Sequence, residues 1–395
     1  MKILAVHNHY QIRGGEDESF EVEVNTLRGA GHEVVTYTQD NERVERIGRV
    51  RTAARTVWSQ QTYREVRRVL ADENIGLVHV QNFFPLISPS VYYAGRTARV
   101  PVVQTLRNYR LLCPNSLFFR DGHVCEDCMG KFVPWPGIVH TCYRDSKTAT
   151  ATVGGMITIH RLLRTWDHMV DLYVALTEFA RKKFIQGGIP ADKIVVKPNC
   201  VYPDPGIGGG AGGYILFVGR LSAEKGVSTL LDAWQQVGRG RRLCVVGEGP
   251  LRSVVEEASR RMPEIEYLGR QDLAEVYRLM GDAKAVVFPS EWYETFGRVA
   301  IEAFAKQTPV VAARIGAIAE VVDDGRTGLL FEPGNVGDLC RQLEWVWSHP
   351  GAMVEMGQEA RREYEAKYTA SRNYEMLMEI YELARIRADD RLRVS

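Results

Sequence analysis

The sequence predicts two doubly wound α/β domains, each built on a parallel sheet with helices on both faces. Short apolar runs alternate with amphipathic helical segments along almost the whole chain, which is the pattern of repeated strand–helix units. The alternation stops at 202–213, a run of proline and glycine, and starts again at residue 214. At 395 residues the chain is long enough for two domains with separate cores.

The break divides the chain into a first domain at 1–201, a linker at 202–213 and a second domain at 214–370. We expect a C-terminal helix at about 371–395 that packs back on the first domain. Each predicted strand is a short apolar run bounded by turn residues. These runs lie at 2–7, 33–38, 77–80, 100–106 and 172–176 in the first domain, and at 214–218, 243–246, 265–268, 285–288 and 309–313 in the second.

Composition sets limits on function. The hydrophobic fraction of 45% and the charged fraction of 25% are those of an ordinary soluble protein, and a net charge of +1 gives no general case for nucleic-acid binding. The apolar run at the N-terminus is too short for a signal peptide or a membrane span, so we expect a cytoplasmic protein. In that compartment the seven cysteines are expected to be reduced or metal-bound.

Two glutamates, Glu294 and Glu302, lie on either side of a small-residue turn. If the segment is helical and capped by Thr295, their eight-residue offset spans about 12 Å at 1.5 Å per residue. Glycosidase carboxyl pairs are closer, at roughly 5 to 9.5 Å across one bond. The pair therefore suits two hydroxyl-bearing parts of one long ligand, although two ordinary surface glutamates remain the alternative.

Two cations, Arg220 and Lys225, follow the first strand of the second domain in a loop bounded by glycines. They could neutralise a diphosphate, and the alternative is a solvated charged loop. Candidate residues at 7–16 follow the first strand of the first domain in the same way. Since ligands of open α/β sheets bind at the carboxyl ends of the strands, we expect the two domains to face each other across a ligand-binding cleft.

In order and spacing, these segments resemble the retaining GT-B glycosyltransferases of family 4. The resemblance covers essentially the whole second domain and continues upstream into 175–199. It rests on Gly219-Arg220-Leu221 with Lys225-Gly226, 246–251, 267–269, Glu294-x7-Glu302, 309–311, 316–322 and 324–330.

The resemblance implies transfer of a sugar from a nucleotide diphosphate sugar with retention of the anomeric configuration. Arg220 and Lys225 would hold the diphosphate and stabilise it as leaving group, because fixed cations lower the barrier where negative charge develops. Glu294 would lie at the sugar and the distal phosphate, and Glu302 would accept hydrogen bonds from the ribose.

The resemblance implies further contacts. Backbone N–H groups near Phe296 and Gly297 would meet the phosphate, and backbone around Gly269 and Arg270 would meet the base. In the first domain, Gly14 and Gly15 would lie near the diphosphate and the acceptor.

The expected donor is a UDP- or GDP-sugar, and the expected acceptor is a glycan, a lipid-linked molecule or a small molecule, as in cell-surface polysaccharide synthesis. No catalytic metal is expected, because two cations and a helix N-terminus supply the positive charge and no suitably placed Asp-x-Asp pair is present. The alternative function is a GT-B-type sugar-nucleotide 2-epimerase, which needs no acceptor.

One position departs from the family pattern. Relatives commonly carry histidine after the strand at 100–106, where this chain has Arg107. Arginine cannot act as a base near neutral pH, but it can contact phosphate or an acidic sugar. His7 and His9, at the end of the first strand, are alternative contributors to substrate binding.

Four cysteines suggest a metal-binding loop in the first domain. Cys113, Cys125, Cys128 and Cys142 are separated by 11, 2 and 13 residues among loop-forming glycines and prolines. A structural zinc ion in the loop 113–142 is the favoured interpretation, with an iron–sulfur cluster or plain thiols as alternatives.

The simplest interpretation of the basic run at 43–55 is that its side chains form a solvent-exposed face. If the acceptor is lipid-linked, it could instead contact anionic head groups of the inner membrane surface, helped by the apolar segment 153–163.

Overall fold

The computed structural model describes residues 1–11, 14–210 and 212–394. The chain divides into two compact units. The first unit comprises 1–118, 126–198 and the chain from Asn373 onward, and the second comprises 119–125 and 199–372. No helix in the described ranges is both long enough and apolar enough to cross a bilayer.

The strands in chain order are β1 (Lys2–His9), β2 (Glu33–Asp40), β3 (Leu77–Val80), β4 (Val102–Leu106), β5 (Phe119–Arg120), β6 (His123–Val124), β7 (Leu172–Ala175), β8 (Ile194–Val196), β9 (Tyr214–Val218), β10 (Arg242–Val246), β11 (Ile265–Gly269), β12 (Ala285–Phe288), β13 (Val310–Ala313) and β14 (Gly328–Phe331).

The helices in chain order are α1 (Gly15–Gly29), α2 (Arg43–Ile47), α3 (Arg49–Val57), α4 (Gln60–Asp72), α5 (Ser90–Thr97), α6 (Trp135–Val139), α7 (Lys147–Leu162), α8 (Thr165–His168), α9 (Glu178–Gln186), α10 (Val227–Val237), α11 (Arg252–Arg261), α12 (Leu273–Asp282), α13 (Arg298–Ala305), α14 (Ile318–Val321), α15 (Val336–Ser348), α16 (Pro350–Lys367) and α17 (Ala370–Val394). Two short 3₁₀ helices cover Ala191–Lys193 and Ala223–Lys225.

Each unit contains a six-stranded sheet in which all pairs are parallel. The first sheet has the order β2-β1-β3-β4-β7-β8, and the second has the order β11-β10-β9-β12-β13-β14. Strand order reverses between β1 and β3 in the first sheet and between β9 and β12 in the second. Such switch points are where open α/β sheets bind ligands, just beyond the carboxyl ends of the strands. The predicted fold class of two doubly wound α/β domains is confirmed.

The strands form where the sequence has apolar runs, because both faces of each sheet are covered. The central strands β3, β4, β7, β12 and β13 are buried along their whole length, and near-continuous apolar runs are what parallel strands covered on both faces require. Two edge strands of the sheets were not predicted, β8 with three residues and β14 with four. The hairpin β5–β6, with only two residues in each strand, was not predicted either.

The segment 202–213, predicted as a linker, packs on the second unit in its described part. The backbone N–H groups of Gly208 and Gly210 donate to the carbonyls of Lys306 and Gly281 at 2.9 and 2.8 Å. A Cβ atom on Gly208 would lie 2.1 Å from the Cα of Gly281. Glycine is therefore needed here for close approach between backbones, and the run does not act as a flexible tether. Ala211 lies outside the described residues.

The first unit contains a buried ionic network beneath the carboxyl edge of its sheet. Glu23 on α1 is 6% exposed and lies 3.2 Å from the ammonium nitrogen of Lys197, which is 2% exposed. The Nδ1 atom of His79 lies 3.1 Å from Glu23, and the amide of Gln81 also donates to this carboxylate. Burial alone would raise the pKa of Glu23, but Lys197 and His79 outweigh it and lower the pKa well below its usual range.

The C-terminal helix completes this network. Asn373 on α17 accepts a hydrogen bond from Lys197 at 2.9 Å, and the hydroxyl of Tyr381 lies 2.8 Å from Nδ1 of His79. Helix α17 therefore belongs to the first unit by specific polar contacts as well as by apolar packing of Leu377 and Ala384 against the core.

We expect Glu23→Gln to lower the free energy of unfolding by about 3–5 kcal/mol, because it leaves the buried ammonium of Lys197 without a counter-ion. A lowered folded-state pKa stabilises the protein above the unfolded pKa of about 4.3. This contribution is therefore lost as the pH falls below that value. Urea unfolding at pH 7 and at about pH 3, well below the unfolded pKa, measures both effects.

The matched control is Glu45→Gln on α2, where the carboxylate is exposed. It should change the stability by less than about 0.5 kcal/mol. Equal stabilities of the two variants at pH 7 would contradict the assigned role of Glu23.

Candidate functional site

Two loops at the switch point of the second sheet carry most of the predicted site residues. Residues 219–226 follow β9, and residues 289–297 follow β12, which is the neighbour of β9 in the sheet. Both loops therefore leave the same edge of the sheet side by side.

Glycines allow neighbouring loops of this edge to touch through their backbones. Gly226 has φ 66°, and a Cβ atom there would lie 1.8 Å from the carbonyl oxygen of Pro289. Gly247, after β10, has φ 140°, and its Cβ would lie 1.8 Å from the carbonyl oxygen of Gly219. Both the left-handed backbone and the missing side chain are therefore required at these positions.

An ion pair connects the two loops. The ammonium of Lys225 contacts Oε1 of Glu294, and the same oxygen accepts hydrogen bonds from Ser290 Oγ at 3.1 Å and from Trp292 Nε1 at 2.9 Å. Lys225 Nζ also lies 5.4 Å from the ring centre of Trp292, within the range of a cation–π contact. Glu294 is buried, and Lys225 is partly exposed. Two residues predicted to bind the ligand thus also bind each other.

The predicted helix around Glu294 and Glu302 begins later than expected. Helix α13 starts at Arg298, and its N-cap is Gly297 with φ 97°; no side chain caps it, so the prediction that Thr295 is the cap is wrong. A Cβ on Gly297 would lie 2.8 Å from Ile318 Cδ1. Only Glu302 lies on the helix. The separation of about 12 Å expected for two glutamates on one helix therefore does not apply to Glu294 and Glu302. Glu302 is buried and pairs with Arg298 at 2.8 Å.

The remaining predicted residues of the second unit lie on the same edge of the sheet. Arg220 is exposed, and within the described chain its guanidinium has no ion-pair partner. Gly269 ends β11 with φ 64°, and its carbonyl accepts a hydrogen bond from the N–H of Gly247 at 2.9 Å. Arg270 is exposed, whereas Phe296 is 3% exposed and packs edge-on against Tyr368.

In the first unit, His7 and His9 at the end of β1 share one carboxylate. Asp17 Oδ1 lies 2.9 Å from His7 Nε2 and 3.1 Å from His9 Nδ1, and Asp17 Oδ2 accepts the N–H of Gly14 at 3.1 Å. Burial would raise the pKa of Asp17, but the hydrogen bonds from His7 and Gly14 lower it overall. His7 is fully buried in the structure, and its role in substrate binding stays a prediction.

Gly14 and Gly15 lie at the start of α1, where Gly14 is the N-cap in an extended conformation with φ −142°. A Cβ atom on either glycine would meet no atom of the described residues within 4 Å. The backbone does not require glycine at these two positions, and the space above them is open.

Arg107 directly follows β4 and is 6% exposed. Its Nε donates to Gln81 Oε1 at 2.6 Å, and Gln81 in turn donates to Glu23. Arg107 and Gln81 also line a small cavity of about 20 Å³, enough for about one water molecule. Arg107 is thus tied into the buried network beneath the sheet edge.

Three polar residues meet at this edge: Tyr10 and Glu16 lie within the predicted candidate range 7–16, whereas Asn108 was not predicted. Tyr10 follows β1, Glu16 lies in the first turn of α1, and Asn108 follows β4. The Tyr10 hydroxyl donates to Glu16 Oε2 at 3.1 Å, and Asn108 Nδ2 donates to Glu16 Oε1 at 3.2 Å. The adjacent acidic residues Glu16 and Asp17 indicate a helix start directly after the first strand, because acidic residues are common in the first turn of a helix. Polar side chains at this sheet edge could therefore be expected from the sequence.

The four cysteines predicted to bind metal do not form a ready-made ligand cluster. Among the described residues, the group of three metal-ligating side chains close enough to share an ion is His7, His9 and Asp17, and none of the seven cysteines is in a disulfide. Cys113 donates to Asn115 Oδ1 at 2.9 Å, and burial raises the pKa of its thiol. Cys128 accepts the N–H of Gly137 at 3.3 Å.

Two parallel α/β sheets of this topology, each with polar loops at its switch point, define a protein of the doubly wound α/β class. Residues 5–200 match the family model described as "Glycosyl transferase 4-like domain", and residues 212–349 match the model described as "Glycosyl transferases group 1". Together the two matches cover most of the chain, which therefore belongs to the group 1 glycosyltransferases with a 4-like N-terminal domain.

Curated relatives agree with this family. The chain is 34% identical over 154 residues to glycogen synthase of Mycobacterium tuberculosis, covering 38% of this chain and 37% of the relative. The match thus spans less than half the length of that relative. Phosphatidyl-myo-inositol mannosyltransferase of Mycobacterium leprae is 27% identical over 345 residues, covering 84% of this chain and 79% of the relative.

The fold is also similar to solved structures. HepE of Anabaena, crystallised with UDP, superposes with a TM-score of 0.68 at 18% identity and covers 96% of this chain and 99% of its own. Sucrose-phosphate synthase of Thermosynechococcus elongatus superposes with a TM-score of 0.67 at 16% identity and covers 96% and 98% of the two chains. At these identities the similarity shows the fold.

We expect Gly247→Ala to lower the free energy of unfolding by about 2–4 kcal/mol, because it adds backbone strain and a clash with Gly219. Gly337→Ala in the first turn of α15 is the control, since its Cβ would meet only Asn335 Oδ1 at 3.6 Å. That variant should be neutral or up to about 1 kcal/mol more stable. Chemical denaturation of both variants measures the difference, and similar values would contradict the backbone contact.

Proposed function

We propose that this chain is a retaining glycosyltransferase that moves a hexose from a nucleotide diphosphate sugar to a glycan, lipid-linked or small-molecule acceptor. The observation that carries the proposal is the pairing of Lys225 with Glu294 across the two loops of the switch point, with the exposed Arg220 in the same loop as Lys225. One carboxylate and two cations at this edge match a ligand with sugar hydroxyls and a diphosphate.

In this proposal the residues have separate roles. Arg220 and Lys225 neutralise the diphosphate as the sugar–phosphate bond breaks, and Glu294 accepts hydrogen bonds from sugar hydroxyls. Glu302, held by Arg298, accepts hydrogen bonds from the ribose. The backbone near Phe296 and Gly297 meets the phosphate, and the backbone at Gly269 and Arg270 meets the base.

Transfer by this arrangement needs no divalent metal, because the two cations supply the positive charge. Activity that survives EDTA would agree with this, and activity that returns only with added Mg²⁺ or Mn²⁺ would contradict it. No observation on this chain favours the 2-epimerase alternative.

A structural zinc ion at Cys113, Cys125, Cys128 and Cys142 remains a proposal. Its support is the spacing of four thiols in one loop-rich segment. Elemental analysis of the purified protein tests it, with about one zinc per chain expected; iron would indicate the cluster alternative, and neither metal would remove the proposal.

Peripheral contact with an anionic membrane surface is supported by a basic pocket on α2 and α3. Arg43, Arg46, Arg51 and Arg55 line this pocket of about 570 Å³ together with Ile47 and Ala54. Clustered arginines near a bilayer attract anionic lipids. Co-sedimentation with phosphatidylglycerol vesicles, compared with phosphatidylcholine vesicles, tests the contact.

Arg220→Ala and Glu302→Ala should each abolish stabilisation by nucleotide. The wild-type protein should show a raised melting temperature with one nucleotide in a panel of UDP, GDP and ADP, since a ligand that binds only the folded state stabilises it. UDP is tested first, because HepE was crystallised with it. Thermal shift with and without nucleotide measures the effect.

Arg260→Ala is the matched control, because Arg260 is an exposed arginine on α11 of the same unit. It should keep the wild-type shift. Undiminished shifts in both site variants would overturn the site assignment. Release of nucleotide from the matching sugar donor tests transfer itself, and NMR of the anomeric proton in the product tests retention.

A further inference from the structure

The first unit exposes a group of large apolar side chains on α6, on α7 and on the segment before α6. Six of these side chains are between 41% and 71% exposed: Phe132, Trp135, Val139, Ile159, Leu162 and Leu163. Single exposed apolar residues are common on soluble proteins, whereas a contiguous group marks a binding surface. We call these six residues the apolar patch.

Contacts between the two helices hold the patch together. The guanidinium of Arg161, near the end of α7, donates to the carbonyl oxygen of Phe132 at 3.3 Å. Further along α7, Gly154 faces α6, because a Cβ atom there would lie 3.2 Å from Ile138 Cδ1. The segment 132–139 is therefore packed against α7, and its exposed side chains adjoin those at the end of that helix.

The two helices direct apolar side chains outward. In α6, Pro136 and Gly137 are buried, whereas Trp135 and Val139, four residues apart, are exposed. In α7, no charged residue occurs from Thr148 to His160, although part of this stretch is exposed. A surface helix of a soluble domain usually buries its apolar face and exposes its charged face. Burial in the fold therefore does not explain the apolar residues of the patch.

The stretch of chain that carries the patch is basic. Between Asp127 and Asp167 it contains five basic residues and a single acidic one, Asp145. These basic residues are Lys131, Arg144, Lys147, Arg161 and Arg164. The ammonium nitrogen of Lys131 lies 5.7 Å from the ring centre of Trp135. A tryptophan beside a cation is typical of the boundary between lipid and water, where the ring contacts apolar chains and the charge stays hydrated.

The patch is next to the helix that carries part of the basic pocket. Helix α3 packs against α7, and Nε2 of His160 lies 2.9 Å from the carbonyl oxygen of Val57 at the end of α3. Arg51 and Arg55 of the pocket are on α3. Apolar and cationic side chains thus lie on neighbouring helices, as in proteins that bind the surface of anionic bilayers.

Charge decides between the possible occupants of the patch. A second copy of the chain would bury it in a two-fold interface, which brings the same basic stretch of both copies together. Like charges in such an interface oppose association. An anionic bilayer instead offers the opposite charge at its surface and hydrocarbon beneath it for the apolar residues. The charge of the surrounding chain therefore favours the bilayer.

We propose that the apolar patch inserts into the surface layer of an anionic lipid bilayer, with Trp135 and Leu162 among the inserted side chains. The inference rests on the peripheral membrane contact proposed above and adds a second surface to it, and it does not depend on glycosyl transfer. Attraction between charges is screened by salt, whereas burial of apolar side chains is not. Salt therefore separates insertion from electrostatic contact alone.

Co-sedimentation with vesicles of phosphatidylglycerol and phosphatidylcholine in equal parts tests insertion. The wild-type protein should remain bound at about 1 M NaCl, where the screening length falls to about 3 Å. Leu162→Glu should weaken binding by about tenfold or more at low and at high salt. It removes the burial of one leucine side chain and brings a carboxylate to an anionic surface.

Quenching of tryptophan fluorescence by lipids with brominated acyl chains measures insertion directly. Such vesicles should quench part of the fluorescence of the wild-type protein. Trp135→Phe keeps an apolar ring, so it should still bind the vesicles, but it should lose the quenching that Trp135 contributes. Equal quenching in the two proteins would contradict the insertion of Trp135.

Val354→Glu is the matched control for Leu162→Glu, because Val354 is an exposed apolar residue on α16 of the second unit. It should bind vesicles as the wild-type protein does. The melting temperatures of both glutamate variants should stay close to the wild-type value, because the replaced side chains are exposed. A loss of binding in Leu162→Glu is then not a loss of fold.

Binding that survives high salt in the wild-type protein and is weakened in Leu162→Glu supports the proposal. Wild-type binding that is lost at high salt, or binding that Leu162→Glu retains in full, overturns insertion and leaves the electrostatic contact standing. A dimer in gel filtration that Leu162→Glu dissociates would assign the patch to a second copy and overturn the proposal. No binding to these vesicles overturns insertion and peripheral contact together, whereas the glycosyltransferase function is decided separately by nucleotide release.

Discussion

The buried pair of Glu23 and Lys197 is the constraint on which the first unit depends. Two charges removed from water are tolerated only when each is paired and hydrogen-bonded. Here His79, Gln81 and Asn373 supply the additional partners. The pair therefore fixes α1 relative to the strand ends, and helix α1 carries Glu16 and Asp17 on its first turn. An electrostatic requirement in the interior thus sets the position of the polar groups at the sheet edge.

In the second unit, the positions of the loops at the switch point depend on glycine and not on a buried ion pair. Its loops at the switch point lie in backbone contact because Gly226 and Gly247 have neither a Cβ atom nor a preference against positive φ. This close packing brings Lys225 to Glu294 from different loops. A rigid loop pair costs little conformational entropy when a ligand binds, which is the advantage of a preorganised site.

The sequence was sufficient for the fold class because the strands are buried apolar runs with helices between them. It was insufficient where structure depends on contacts distant in sequence. The three-residue edge strand β8 and the hairpin β5–β6 carry too few residues for a pattern. The cap of α13 was misassigned to Thr295, because the helix begins after Gly297, whose left-handed backbone and close approach to Ile318 favour glycine.

The residues of the candidate site were also only partly predictable from the sequence. The motif positions Arg220, Lys225, Glu294 and Glu302 were identifiable from spacing, and all lie at or near the carboxyl edge of the second sheet. The burial of His7 and the pairing of Glu16 with Asn108 could not be identified from spacing, because each depends on which strands become neighbours. Periodicity reports the face of an element and carries no information about its partners across the sheet.

The return of α17 to the first unit has a consequence for synthesis on the ribosome. The chain from Asn373 onward is made after the second unit, yet Asn373 and Tyr381 complete polar contacts with Lys197 and His79 of the first unit. Domains generally fold as units in the order in which they emerge. In this protein the first unit can be completed only after the whole intervening unit has been translated. Until then, Lys197 lacks its contact with Asn373, and the core surface that receives Leu377 and Ala384 is uncovered.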